Sequence, residues 1–222
     1  MRWAFRIGRV AGTDIKVHVT FLLLLAWLGY AGYADGGTAV AVMRVLGVLA
    51  LFACVVLHEF GHITMARQFG VRTPDVLVLP IGGVARLERI PEEPKQEFLI
   101  AIAGPSVTLA IVVVLYLLLR VTGGLPASGA LHAGDAFLPF LMKSNLLLFF
   151  FNLAPAFPMD GGRVLRAALS SRLGLVKGTR IAARLGQFFA VTGGIYAYNK
   201  GEPILVLIAF FIFLSAGSEA VA

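Results

Sequence analysis

The sequence predicts an all-α polytopic membrane protein of about six transmembrane helices, with a short membrane-associated β-hairpin after the second. Three observations predict it. The 222 residues are 59% hydrophobic and 14% charged, with a mean hydropathy of +0.87, far more apolar than a soluble domain. Six apolar stretches are long enough to cross about 30 Å of hydrocarbon at about 1.5 Å per residue. The basic residues between those stretches fall overwhelmingly on one side. A net charge of +7 would suggest nucleic acid in a soluble protein, but here this bias accounts for it, so no nucleic-acid partner is expected. The single Cys54 excludes an intramolecular disulfide, a Cys-rich metal site and a CxxC redox pair.

The spans run roughly over residues 17–34, 41–66, 98–119, 137–158, 181–199 and 203–219, with ends blurred by some of the 25 Gly and 10 Pro. With the N-terminus in the cytoplasm, fifteen of the 19 Lys and Arg lie on the cytoplasmic side, and only Arg44, Arg120, Lys143 and Lys200 do not. The positive-inside bias therefore puts both termini in the cytoplasm of a multi-pass protein of the cell (inner) membrane. The basic start followed by FLLLLAW also fits a cleaved signal peptide, with small residues at Ala31 to Ala34. The length of the preceding segment and its Asp14 speak against cleavage, which would leave five spans. No connection is long enough for a separate folded domain, so residues 1–222 read as one membrane domain.

Ionisable side chains inside a span are costly, and each is a functional hypothesis. The second span ends LFACVVLHEFGHITMARQF, which puts His58, Glu59 and His62 one to two turns before Arg67, near the cytoplasmic end. His58 and His62 are four residues apart and share a helix face, the spacing with which two imidazoles bind one Zn²⁺. Glu59, one residue round the helix, is placed as a general base. Hydrogen bonding between helices, or a proton relay, is the alternative. An adjacent carboxylate at this depth needs a cation or a proton to offset its desolvation.

Catalytic zinc takes a third protein ligand, and Asp160, at the cytoplasmic end of the fourth span in FFFNLAPAFPMDGGRVLR, is the candidate. His132 lies in the far loop and His18 at the start of span one, while solvation accounts for Asp75, Glu88 and Glu92. Asp160 before a helix running to about Ser171 could instead merely cap it, and the two roles need not exclude each other. Pro155 and Pro158 remove backbone donors and break the helix just before Asp160, with Gly161 and Gly162 loosening it afterwards. Irregular backbone at membrane depth implies a water-filled cavity or protein around it, and hydrolysis needs such a cavity. Asn152 could offer its amide to a substrate carbonyl, or bond to another helix.

The connection after the histidine helix, VRTPDVLVLPIGGVARLERI, is rich in strand formers, with Pro80, Gly82 and Gly83 marking a turn, bulge or close approach. It reads as a β-hairpin at the membrane interface whose edge could pair with an extended peptide, or as an ordinary interfacial loop.

Taken together, HEFGH, LPIGGVARLE, AGPSVTL and NLAPAFPMDGGR, with the N-terminal GRVAGTDIKVHVTFLLLL, resemble the site-2 proteases, intramembrane zinc metalloproteases. The resemblance covers nearly the whole chain. It implies one zinc per chain on His58, His62 and Asp160, with Glu59 activating water and Asn152 and the Gly82-Gly83 loop helping to hold substrate. It implies hydrolysis of peptide bonds in or near a transmembrane segment of another protein, with lipid bilayer as the surrounding medium. Its departures are the lack of room for a PDZ or CBS domain, suggesting a minimal catalytic core, and Thr108 where the family often has Asn. Spans five and six could gate substrate entry. A cation transporter using the same acids, or a catalytically inactive substrate-binding relative, are the competing readings. The sequence gives no oligomeric state.

Overall fold

The computed structural model describes residues 3–80, 82–86, 88, 93–123 and 137–219. His132 and Glu92 lie outside the described residues. In chain order the elements are β1 (Ala4–Val10), β2 (Thr13–His18), α1 (Val19–Gln68), β3 (Asp75–Leu79), β4 (Gly82–Ala85), α2 (Pro94–Thr122), α3 (Phe137–Asn152), α4 (Asp160–Leu173), α5 (Leu175–Asn199) and α6 (Pro203–Glu219). Two compact units form: residues 1–89 with 106–149, and residues 90–105 with 150–222.

The first unit corrects the all-α expectation. Its four strands make one sheet in the order β1-β2-β3-β4, in which β1 and β2 are antiparallel, β2 and β3 parallel, and β3 and β4 antiparallel. The β3–β4 hairpin is the one expected from Pro80, Gly82 and Gly83. The β1–β2 hairpin lies in the basic start, where the sequence predicts no strand. It turns through Ala11 (φ 47°) and Gly12 (φ 83°), two consecutive left-handed residues whose twist matches that of a hairpin. Asp75 is a second correction: it is not solvated but 6% exposed. Lys16 donates to its carboxylate at 2.5 Å and Arg86 lies 3.8 Å away.

The parallel pairing of β2 with β3 requires a crossover, and α1 supplies it. Gly36 (φ −167°, ψ 21°) and Gly37 (φ 77°, ψ −165°) interrupt this 50-residue helix. Its two limbs fold back on each other. Phe21 and Phe52 have ring centroids 4.5 Å apart, and a Cβ on Gly32 would lie 2.8 Å from Ala41 Cα. Arg44 and Asp35 bridge the turn at 2.7 Å. The limbs correspond to the first two expected spans. Val17, Phe21 and Val78 pack with Leu24, Leu25, Val48 and Phe52, joining both limbs to the sheet. His18 caps α1, its ring accepting from the Thr20 backbone N–H.

Among the described residues two helices, α1 and α2, are long and apolar enough to cross a membrane. In the most apolar window of α1 only 17% of residues are buried, and Leu22, Leu23, Trp27, Leu46 and Leu49 point outward. A soluble core helix buries such a face, whereas lipid accepts it exposed.

In the second unit α4, α5 and α6 pack around Phe157, Ala182, Ala183 and Ala216. The expected fourth span, 137–158, is shorter: α3 ends at Asn152 and helix resumes at Asp160, as Pro155 and Pro158 require. Arg166 of α4 ties the unit together. Its Nε donates to Glu97 Oε1 at 2.7 Å and its Nη1 to Glu219 at 3.2 Å, and its guanidinium stands 5.2 Å from the Phe157 ring centroid. Glu97 is 1% exposed, so removing the arginine strands a buried carboxylate. Arg166→Ala is expected to destabilise the fold by about 3–5 kcal/mol, read as a lowered unfolding midpoint in detergent. An unchanged midpoint would show that water or another cation replaces the guanidinium.

Candidate metal centre

In the first unit, the periodicity of α1 brings His58 and His62 together one turn apart. Both are buried, at 3% and 5% exposure, and their Nε2 atoms are 3.1 Å apart. Two nitrogens bound to one tetrahedral zinc at about 2.0–2.1 Å stand about 3.3 Å apart, so the pair fits that metal with little adjustment. The other ring nitrogen of His58, Nδ1, lies 2.9 Å from Thr108 Oγ1 on α2, and Thr108 is fully buried.

Glu59 is half-buried beside the pair, and β4 packs against α1 where it emerges. Gly83 makes this contact possible. A Cβ there would lie 2.9 Å from Glu59 Cγ, closer than real Cβ atoms come to their neighbours, and a tight 3.2 Å from Val55 Cγ1. Gly82 has a φ of 137°, a conformation that L side chains rarely adopt. The two glycines thus have distinct backbone roles, Gly82 in chain direction and Gly83 in close approach.

In the second unit, Asp160 is the first residue of α4, and Met159 occupies the cap position with no side-chain cap hydrogen bond. Asp160 thus stands one residue inside the cap position, where a carboxylate in the first turn suits the helix dipole. Gly161 and Gly162 do not loosen the chain. They are helical, and a Cβ on Gly161 would lie 2.3 Å from Leu153 O, one on Gly162 2.7 Å from Phe157 N. The first turn of α4 is thus pressed onto the 153–157 backbone, which fixes where Asp160 begins. Asn152 is half-buried at the last position of α3.

As donor types, the first unit offers the two buried imidazoles of His58 and His62 and the second the half-buried carboxylate of Asp160. Two neutral nitrogens and one anionic oxygen, with Glu59 next in sequence, are the donor chemistry of a hydrolytic zinc site. Sequence reading missed two contributors, the Gly83 contact with Glu59 and the Thr108 contact with His58. The signal for Thr108 was a hydroxyl opening an apolar run two residues after Ser106, at a position where the site-2 proteases often have Asn; Gly83 was legible as a close approach, but not what it approaches.

Long apolar helices and an HExxH segment point to the class of membrane zinc hydrolases, and comparison with known proteins narrows that class. The chain matches the profile of peptidase family M50 over residues 46–134 and 126–193. It is 37% identical to zinc metalloprotease MJ0392 of Methanocaldococcus jannaschii over 99% of this chain and 61% of the relative. It is 34% identical to sll0528 of Synechocystis sp. over 97% of this chain and 59% of that protein. The solved structure of the site-2 protease from Methanocaldococcus jannaschii superposes with a TM-score of 0.68 at 36% identity, covering 98% of this chain and 95% of that one. The chain belongs to peptidase family M50, the site-2 proteases. It spans about three-fifths of the length of the curated relatives named here.

Proposed function

We propose that the chain is an intramembrane zinc metalloprotease that hydrolyses peptide bonds in or near transmembrane segments of other membrane proteins. The observation that carries this reading is the buried His58–His62 pair, with Nε2 atoms 3.1 Å apart, on a helix whose apolar surface suits lipid. His58, His62 and Asp160 hold one zinc. The chemistry supplied by the metal when bound is Lewis acidity, which brings the pKa of water towards about 7 and polarises the scissile carbonyl.

The chain's own residues do the rest. Glu59 takes the proton from the attacking water and delivers it to the leaving amine. Asn152 offers its amide to the substrate carbonyl, and the Gly82-Gly83 segment holds the substrate backbone in extended form, since a peptide bond within a helix is shielded from attack. The reading includes about six spans forming one membrane domain, both termini in the cytoplasm of the cell membrane, and a centre towards that side, reached by water through the break at 153–159. A helical transmembrane protein is the substrate class.

The test is metal content and cleavage together. Purified wild type should hold about one zinc per chain and cut a reconstituted panel of single-span proteins, with cleavage abolished by chelation and restored by zinc. Well-folded protein without metal, or cleavage indifferent to chelation, would overturn the reading. The Gly83 contact adds a second expectation. Gly83→Ala should keep zinc and fold but lower turnover about a hundredfold, because a displacement of about 1 Å at a reacting group has that effect. Unchanged turnover at unchanged zinc would show that Glu59 absorbs the added methyl without moving.

A further inference from the structure

We infer that Thr108 is the positioning residue for His58, fixing through its hydroxyl which ring nitrogen faces the metal. This rests on the zinc reading above and adds to it a residue outside the HExxH and Asp160 motifs. A neutral imidazole carries one proton and presents one lone pair, and the hydrogen bond made by one nitrogen decides the role of the other. The Nε2 of His58 faces the Nε2 of His62 at 3.1 Å, and its Nδ1 faces Thr108 Oγ1 at 2.9 Å. With metal on Nε2, the proton sits on Nδ1 and donates to the threonine oxygen. That bond holds the ring plane and makes Nε2 a better ligand, the usual service of an outer hydrogen bond to a metal-ligating histidine.

Burial makes the contact consequential. Thr108 is 0% exposed and His58 3%, so solvent is poorly placed to replace the hydroxyl. The rings of His58 and His62 meet edge to face, 82° apart with centroids at 4.8 Å. Rotation of the His58 ring about its own axis would swing Nε2 off the metal position, and the bond to Thr108 opposes that rotation.

The experiment measures zinc affinity of the full chain in detergent by chelator competition, with zinc alone as the probe and no substrate. Thr108→Val keeps shape and removes the hydroxyl; Thr108→Ser keeps the hydroxyl and removes the methyl. The expected result is about 10- to 100-fold weaker zinc binding in Thr108→Val and near wild-type binding in Thr108→Ser, with the metal-free proteins unfolding at similar temperatures. Wild-type affinity in Thr108→Val would overturn the inference, as would equal weakening in both variants, which would mark the site as packing alone. Should Thr108→Val fail to fold, Thr108→Ala against Thr108→Ser makes the same comparison. Wild type that binds no zinc would overturn the zinc reading itself and this inference with it, a result distinct from failure at Thr108 alone.

Discussion

Glu59→Gln is expected to bind zinc as wild type does and to lose peptide hydrolysis by a factor of about 10² to 10⁴, the range that a positioned general base contributes. The glutamine keeps the shape, the contact with Gly83 and the capacity to hydrogen bond, and loses only the basic carboxylate. Because His58 and His62 carry their donor atoms on a different part of the helix face, the ligand set is left intact. The check is a single preparation measured twice, for zinc by elemental mass spectrometry and for cleavage of a transmembrane substrate. Loss of zinc along with activity would make Glu59 a ligand or a fold determinant. Retained cleavage would place the base elsewhere. The same variant bears on the transporter reading, since stoichiometric zinc untouched by this substitution is the behaviour of a hydrolytic site.

The residues that could be read from the sequence are those whose partners are close in it. His58 and His62 meet because they are four apart on a helix, a relation that needs no knowledge of the rest of the fold. The break before Asp160 was legible for the same reason, since Pro155 and Pro158 act on their own backbone. The hairpin of β3 and β4 announced itself through Pro80, Gly82 and Gly83.

What was missed depends on distant partners. The strand β2 is held by β3 across the whole of α1, and without that pairing Phe5, Ile7, Arg6 and Arg9 read as a basic, partly apolar flank. Asp75 seemed a solvated loop residue because its cation, Lys16, lies 59 positions away. Gly161 and Gly162 suggested looseness, yet the carbonyls of Leu153 and Ala154 crowd the first of them. In isolation a glycine signals freedom; packed against backbone it signals close approach, and only the fold distinguishes the two.

The other large effect is expected at Asp160. Asp160→Ala, like His58→Ala and His62→Ala, should reduce zinc from about one per chain to little, while the protein remains folded. The reason is charge as well as ligand count. Zn²⁺ held only by neutral imidazoles keeps its full double charge in a poorly solvated place, whereas a carboxylate ligand offsets part of it. Loss of this ligand should therefore weaken binding by more than the roughly 10- to 100-fold expected from losing an outer hydrogen bond such as that from Thr108. The order of affinities, wild type and Thr108→Ser above Thr108→Val above Asp160→Ala, separates ligand from positioning residue in one titration series. Since Asp160 is the first residue of α4, the unfolding midpoint of metal-free Asp160→Ala set against that of metal-free wild type separates a lost ligand from a disturbed helix start. Asp160→Ala that holds zinc as tightly as wild type would remove it from the ligand set and reopen the search for a third donor.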